Sequence, residues 1–215
     1  MSVSEPCHEC AICPRLAEFR IDNRLDHAEW HNAPVPAFGS RTAALLIVGL
    51  APGLRGANRT GRPFTGDFAG DLLYPTLLRF GFARGTYAAS ANDGLQLVRC
   101  RITNAVRCVP PKNRPTATEV NNCRNFLARE IAGMSGLKIV LALGVTAHDS
   151  LTRVFGVRGK KFRHGAFYAV DADLTLADCY HCSRYNTNTG RLTESMFHEI
   201  FVAIHNRLRE SCSPT

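Results

Sequence analysis

Three short apolar runs, each closed by a loop rich in glycine or proline and separated from the next by a stretch of helical spacing, constrain this chain more than any other feature. Residues 43–50 (AALLIVGL) run straight into Ala51-Pro52-Gly53, and residues 137–144 (LKIVLALG) end on a glycine. Between them, residues 97–108 carry the segment ITNAV at 102–106. Runs this short and this apolar read as strands buried on both faces. A fourth candidate, residues 174–180, is weaker because Asp178 interrupts it.

Helical patterns fill the intervals at 69–80, 118–134 and 146–155. A last one, 194–208, sets Phe197, Ile200, Phe201, Ile204 and Leu208 on one stripe behind Thr193 as its cap. Strands alternating with helices predict a parallel sheet and an α/β fold. A length of 215 residues, 45% of them hydrophobic, suits a single domain over 1–215. In an open sheet of this kind the ligand sits beyond the carboxyl ends of the strands. The loops 51–67, 109–115 and 181–191 are therefore the expected lining of the site.

Lysine and arginine (26) outnumber aspartate and glutamate (18), for a net charge of +8. That balance favours an anionic partner such as nucleic acid, although a merely basic protein would show it too. No run of about 18 apolar residues occurs, and residues 1–13 lack the order of a signal peptide, so a cytoplasmic protein is expected.

The first loop reads GLAPGLRGANRTGRPFTGD over 49–67. Its glycines let backbone amides approach a ligand, and Arg55, Arg59 and Arg62 supply charge suited to phosphates. It lacks the lysine of a Walker loop and the G-x-G-x-x-G fingerprint, which sets aside nucleotide hydrolysis and dinucleotide binding. Phe64, between prolines and glycines, is expected to be poorly enclosed as a core residue and well placed as a stacking platform. Asp67 stands just before a predicted helix and reads equally as a cap. In the third loop, His181 follows a strand-like segment and can donate a hydrogen bond to charge developing on a leaving group. Ser183, Arg184, Asn186 and Asn188 beside it can hold phosphates.

Nine cysteines are odd in number and too many for a casual cytosolic chain, so a ligating use is expected rather than a disulfide framework. Cys10 and Cys13 form a C-x-x-C, and Cys108 and Cys123 are separated by fourteen residues. Four thiolates from two segments suit a [4Fe–4S] cluster. Zinc fits the spacing less well, and a redox C-x-x-C lacks its preceding strand. Cys7 is evenly spaced with Cys10 and Cys13, so any two of the three can serve. Cys179 and Cys182 read as incidental, and Cys100 and Cys212 as buried or free.

Together, residues 49–67, TNAVRCVPP at 103–111, LALG at 141–144, 181–191 and CAICPRL at 10–16 resemble the uracil-DNA glycosylase superfamily, in its iron–sulfur branch called type B or family 5. The resemblance spans about residues 10–201. It implies a three-layer α/β/α sandwich around a four-stranded, mostly parallel sheet. It also implies an enzyme of DNA repair that flips uracil out of DNA and hydrolyses its N-glycosidic bond. By motif position, Cys10, Cys13, Cys108 and Cys123 would be the cluster ligands, the cluster being structural. Asp67 would be the catalytic carboxylate, Phe64 the ring under the extruded base, and His181 the donor to the base. Gly49, Ala51 and Asn58 would shape the pocket.

Asn104 stands where many type B members have a small apolar residue, which implies stronger uracil preference. Tyr185 occupies the position of an intercalating residue, with Arg184 beside it to help hold the gap open. DNA containing uracil is the expected partner, and the protein is expected to act as a monomer. Two other readings use some of the same motifs: a protein that captures uracil-containing DNA without turnover, and an iron–sulfur redox-sensing DNA-binding module. The second leaves Phe64, Asp67 and His181 without a use.

Overall fold

The computed structural model describes residues 5–210. Its main sheet has six strands in the order β1-β5-β2-β6-β8-β7, with a separate two-stranded hairpin, β3-β4. In chain order these are β1 (Phe38–Gly39), β2 (Leu45–Gly49), β3 (Ala83–Arg84), β4 (Gln96–Leu97), β5 (Cys100–Asn104), β6 (Ile139–Leu143), β7 (Phe167–Ala169) and β8 (Thr175–Cys179). The helices are α1 (Pro14–Asp26), α2 (Ala57–Thr60), α3 (Phe68–Arg79), α4 (Ala117–Ala132), α5 (Val145–Phe155), α6 (Arg184–Asn188) and α7 (Glu194–Glu210).

The four central strands, β5, β2, β6 and β8, are all parallel, as the apolar runs predict. The expected four-stranded sheet is widened by β1 and β7, two short strands that pair antiparallel on its edges. Alternation along each strand divides the core between the two faces. Leu45, Ile47, Ile102 and Leu141 meet Leu73 and Leu77 of α3 and Phe197, Phe201 and Ile204 of α7. Leu46, Val48, Val140, Ala142 and Leu176 meet Leu127 of α4 and Leu151 of α5. Both faces are covered, which is the α/β/α sandwich and the reason the strands read as continuous apolar runs.

The helix starts explain the positions of the loops. Asp67 caps α3, its Oδ1 accepting from Gly70 N at 3.2 Å. Thr116 and Glu119 form a reciprocal capping box on α4, and Arg15 of α1 clasps Glu119 at 2.7 Å. Thr193 Oγ1 accepts from Met196 N at 3.2 Å ahead of α7. Asp178, the residue that weakened the fourth strand in sequence, is buried and accepts from His148 Nδ1 at 2.8 Å and from Arg163 N at 3.1 Å. Pairing satisfies the buried charge, so the strand survives it.

Candidate functional site

The carboxyl ends of β2, β5, β6 and β8 bring the first and third loops together. Gly49 at the end of β2 is in register with Asn104 at the end of β5. A Cβ on Gly49 would overlap both the Asn104 Oδ1 and the Phe64 ring, so glycine here is a requirement of close packing. Phe64, at φ 54°, lies beside His181 with ring centroids 5.9 Å apart and planes 26° apart. Gly49, Phe64, Asn104 and His181 thus form one floor. The Asn104 carboxamide has no hydrogen-bond partner recorded among the described residues and is 3% exposed.

Phe64 is only 5% exposed, which corrects the expectation that its loop would enclose it poorly. The reason is the turn that follows. Gly70 in the first turn of α3 lies against the Phe64 carbonyl, with no room for a Cβ, so the loop folds tightly over the helix start.

Adjoining this floor at His181 is a cavity of about 470 Å³ whose lining includes Ala51, Asp67, Phe68, His181, Arg184 and Tyr185, while Gly49, Phe64 and Asn104 lie off that lining. Asp67 is largely enclosed, and burial raises its carboxyl above the ordinary carboxylate range despite hydrogen bonds from Gly70 and Ala69. Gly53 and Gly56 press against its Oδ2 side, and neither has space for a methyl group beyond tight contact. Burial alone pushes His181 down to about 4, so its imidazole is neutral near pH 7. Asn186 Nδ2 donates to the His181 carbonyl at 2.8 Å, and Ser183 caps α6, so these two residues brace the loop. Tyr185 is 72% exposed at the mouth, and the Arg184 guanidinium lies 5.2 Å from the Phe68 ring. An adjoining groove is lined by Arg55, Arg59, Arg184 and Asn113, the last on the proline loop with φ 55°.

Two predicted residues sit elsewhere. Arg62 is buried and does not face a phosphate path, contrary to expectation. Both its Nη atoms donate to Asp93 at 2.8 Å, its Nε donates to Thr65 at 2.7 Å, and it lies over the Phe38, Tyr74 and Tyr87 rings. It ties the loop after β3 to the Phe64 loop. Asn58 is fully buried and donates to Asn32 Oδ1 at 2.8 Å, bracing α2 against the segment after α1 from beneath the loop. Sequence reasoning did not single out Asp93, which has no motif around it, nor Phe68 and Asn113, although these two stand beside and within loops expected to line the site.

The cysteines form a second locus. Cys108 and Cys123 are buried, Cys10 and Cys13 partly so, and Cys7 is exposed. Cys13, Cys108 and Cys123 pack with Leu16, Val106 and Ala51, which places this locus directly behind the cavity wall. Arg20 Nη1 donates to Cys108 Sγ at 3.3 Å, and Asn122 Nδ2 donates to Cys13 Sγ at 3.5 Å. Burial pushes Cys108 up to about 12, with Cys123, Cys10 and Cys13 adding to the rise, and Cys123 up to about 11, with Cys13 and Cys10 adding. Among the described residues, no three cysteine, histidine or carboxylate side chains close tightly enough to grip a single metal ion. Cys179 and Cys182 are buried in the main core, and Cys212 lies outside the described residues.

The arrangement has relatives. The sequence model of the uracil DNA glycosylase superfamily matches residues 36–205. A type-5 uracil-DNA glycosylase of Thermus thermophilus is 42% identical over 200 residues, covering 90% of this chain and 91% of that protein. Type-5 uracil-DNA glycosylases of Mycobacterium leprae (42%, covering 89% of this chain and 88% of that one) and Pyrobaculum aerophilum (40%, 89% and 85%) align similarly. With the family model covering most of the chain and these relatives nearly all of it, the chain belongs to the uracil DNA glycosylase superfamily.

Proposed function

We propose that this protein is a monofunctional type-5 uracil-DNA glycosylase, which extrudes uracil from DNA and hydrolyses its N-glycosidic bond to leave an abasic site. The observation that carries the reading is the meeting of Asp67 and a neutral His181 on one cavity at the carboxyl edge of the sheet.

Extrusion costs a few kcal/mol of stacking, least at a mismatched U·G pair. Tyr185, exposed at the mouth, fills the vacated stack, and Arg184 holds the adjacent backbone. As the bond lengthens, negative charge grows on the base and positive charge on the sugar. Neutral His181 donates one N–H to the base, a contact that strengthens as the charge develops. Asp67 stabilises the sugar cation or takes the proton of the attacking water, and its raised pKa makes it the stronger base. Asn104 reads the amide edge of uracil, and Phe64 packs against the ring. Ala51 leaves space beside the base.

The donor set at the cysteine locus fits a [4Fe–4S] cluster held by Cys10, Cys13, Cys108 and Cys123. Two N–H donors already point at sulfur, as thiolate ligands require, and the buried Arg20 Nε has no hydrogen-bond partner recorded among the described residues. Cys7 is exposed and outside this set. When bound, the cluster supplies structure, pinning α1 to the proline loop; the cleavage step is carried by Asp67 and His181.

The partner is uracil-containing DNA, and we take the working unit to be a monomer in the cytoplasm. Among the described residues no helix is long and apolar enough to cross a membrane. Single-turnover incubation with duplexes carrying uracil, hypoxanthine or thymine opposite guanine, followed by alkaline cleavage at abasic sites, tests the reading. Uracil release supports it. Tight binding without release of free base would leave a capture protein instead.

A further inference from the structure

The groove where α4 packs beside α5 has no part in the chemistry above. It holds a cavity of about 270 Å³ lined by Ala117, Asn121, Arg124, Thr146, Asp149 and Arg153, among others. Thr146 also lines a second cavity, of about 210 Å³, that opens on His181. The groove therefore adjoins the active-site side of the molecule across Thr146.

Two arginines converge in it. Arg124 Nη2 donates to Asn121 Oδ1 at 2.6 Å and Arg153 Nη1 donates to the same oxygen at 3.3 Å. One neutral amide oxygen thus serves two positive charges. Arg124 Nε is buried with no hydrogen-bond partner recorded. Asp149 lines the same cavity, yet among the described residues neither arginine forms an ion pair with it or with any other carboxylate. Asp149 offsets the repulsion between the arginines without pairing with either, and an anion between them relieves what remains.

We propose that Arg124 and Arg153 clamp a backbone phosphate of the DNA strand as it leaves the active site, extending the footprint along the α4–α5 groove. This rests on the glycosylase reading only for the identity of the polyanion. A DNA phosphate is favoured over a free anion because the groove adjoins the cavity beside His181, the two sharing Thr146 as a wall. Neither arginine touches the base, so the clamp contributes to binding and register and leaves the bond-breaking step unaltered.

The test uses the full chain with R124Q, R153Q and the double variant, measuring affinity for undamaged duplex across a salt series and single-turnover uracil release at saturating DNA. Each single variant is expected to make the log–log salt slope shallower by up to about 0.9, the value for one phosphate contact, with the single-turnover rate unchanged. Wild-type protein on duplexes shortened stepwise from one end should reproduce the variant slope once the clamped phosphate is removed. If all three variants fold with native melting temperatures and keep the native slope, the clamp is wrong while the glycosylase reading stands. A shallower slope in variants of a protein that releases no uracil would leave the clamp and remove the glycosylase reading.

Discussion

Phe64 and His181 are in direct ring contact, 5.9 Å between centroids and 26° between planes, a separation within the range of touching aromatic pairs. Phe64 thus covers one side of an imidazole that is partly exposed to the cavity and whose pKa desolvation lowers to about 4. An ordinary histidine titrates near 6.5. The folded protein therefore binds fewer protons than the unfolded chain between these values. The stability linked to His181 is complete above pH 6.5 and is lost as pH falls toward 4. An NMR titration of the His181 imidazole should stay flat through pH 6.5 and show its protonation limb only toward 4, a readout free of the Asp67 base that also shapes kcat/KM. Phe64→Ala admits water and should move that limb upward toward 6.5, besides weakening capture of the flipped base by about 1–3 kcal/mol of lost stacking. An unmoved limb would mean that other groups bury His181.

Asp67 is a helix cap and, in the proposed mechanism, the catalytic carboxylate, and the two roles separate by substitution. Asn caps as well as Asp, so Asp67→Asn keeps the bond to Gly70 N and loses the charge. Because burial raises the Asp67 pKa, ionisation at neutral pH costs stability relative to acid, and Asp67→Asn should melt at or above the native temperature at pH 7. Its single-turnover rate should fall by about 10²-fold or more while DNA affinity holds. Asp67→Ala should show the same rate loss together with about 1 kcal/mol of lost stability. A normal rate in Asp67→Asn would leave the residue a cap and nothing else.

The parallel core was legible because strands covered on both faces leave unbroken apolar runs, and the boundaries of α3, α4, α5 and α7 follow from their periodicity and caps. Helix α1 was not. Its buried face includes Arg20 and Asn23, while Ile21 and Leu25 are exposed, so no apolar period marks it. The edge strands β1 and β7 span two and three residues, too short for alternation to register. In the site, the motif loops were recognisable, but the direction of an arginine was not. Arg55, Arg59 and Arg62 look alike in sequence, and only Arg62 turns inward, because Asp93 and three aromatic rings accept it.

That inward pair predicts a stability phenotype remote from the cavity. Asp93→Ala strands a buried guanidinium, and breaking a buried pair from one side costs about 3–5 kcal/mol. Arg62 holds the Asp93 carboxyl well below the usual range, so the pair's contribution should persist at pH 4 and fade only in stronger acid. Urea midpoints of Asp93→Ala and the unaltered protein at pH 7 and pH 4 check both statements. Equal midpoints would show that the Phe64 loop is held by its other contacts.

Anaerobically purified protein should be brown with about four irons per chain, and Cys108→Ala should lose the colour and melt earlier. Burial raises the free thiols of Cys108 and Cys123, so cluster assembly must release their protons and should weaken as pH falls. Arg20→Met removes the donor to Cys108 Sγ and should leave the cluster assembled yet lost about 10–100 times more readily to a chelator. Stoichiometric zinc without iron in anaerobic preparations would overturn the cluster.

Base discrimination should trace to the contact of Gly49 with Asn104. Asn104 is buried at the strand end with its carboxamide unengaged, so a base offering the wrong edge leaves that group unpaired. Asn104→Ala should slow uracil release by about 10²-fold and narrow the preference for uracil over hypoxanthine, because it removes the reader and the penalty together. Gly49→Ala acts on the same contact from the other side, since its Cβ drives into the Asn104 Oδ1 and the Phe64 ring at once. It should therefore combine slow uracil release with weakened capture of every base, while iron content stays native because the cysteine locus packs in a separate cluster. Rates for uracil and hypoxanthine, measured with iron content on the same preparations, distinguish the two. If Asn104→Ala lowers both rates in equal proportion, Asn104 holds the floor together without reading the base, and uracil preference must come from the backbone of the first loop.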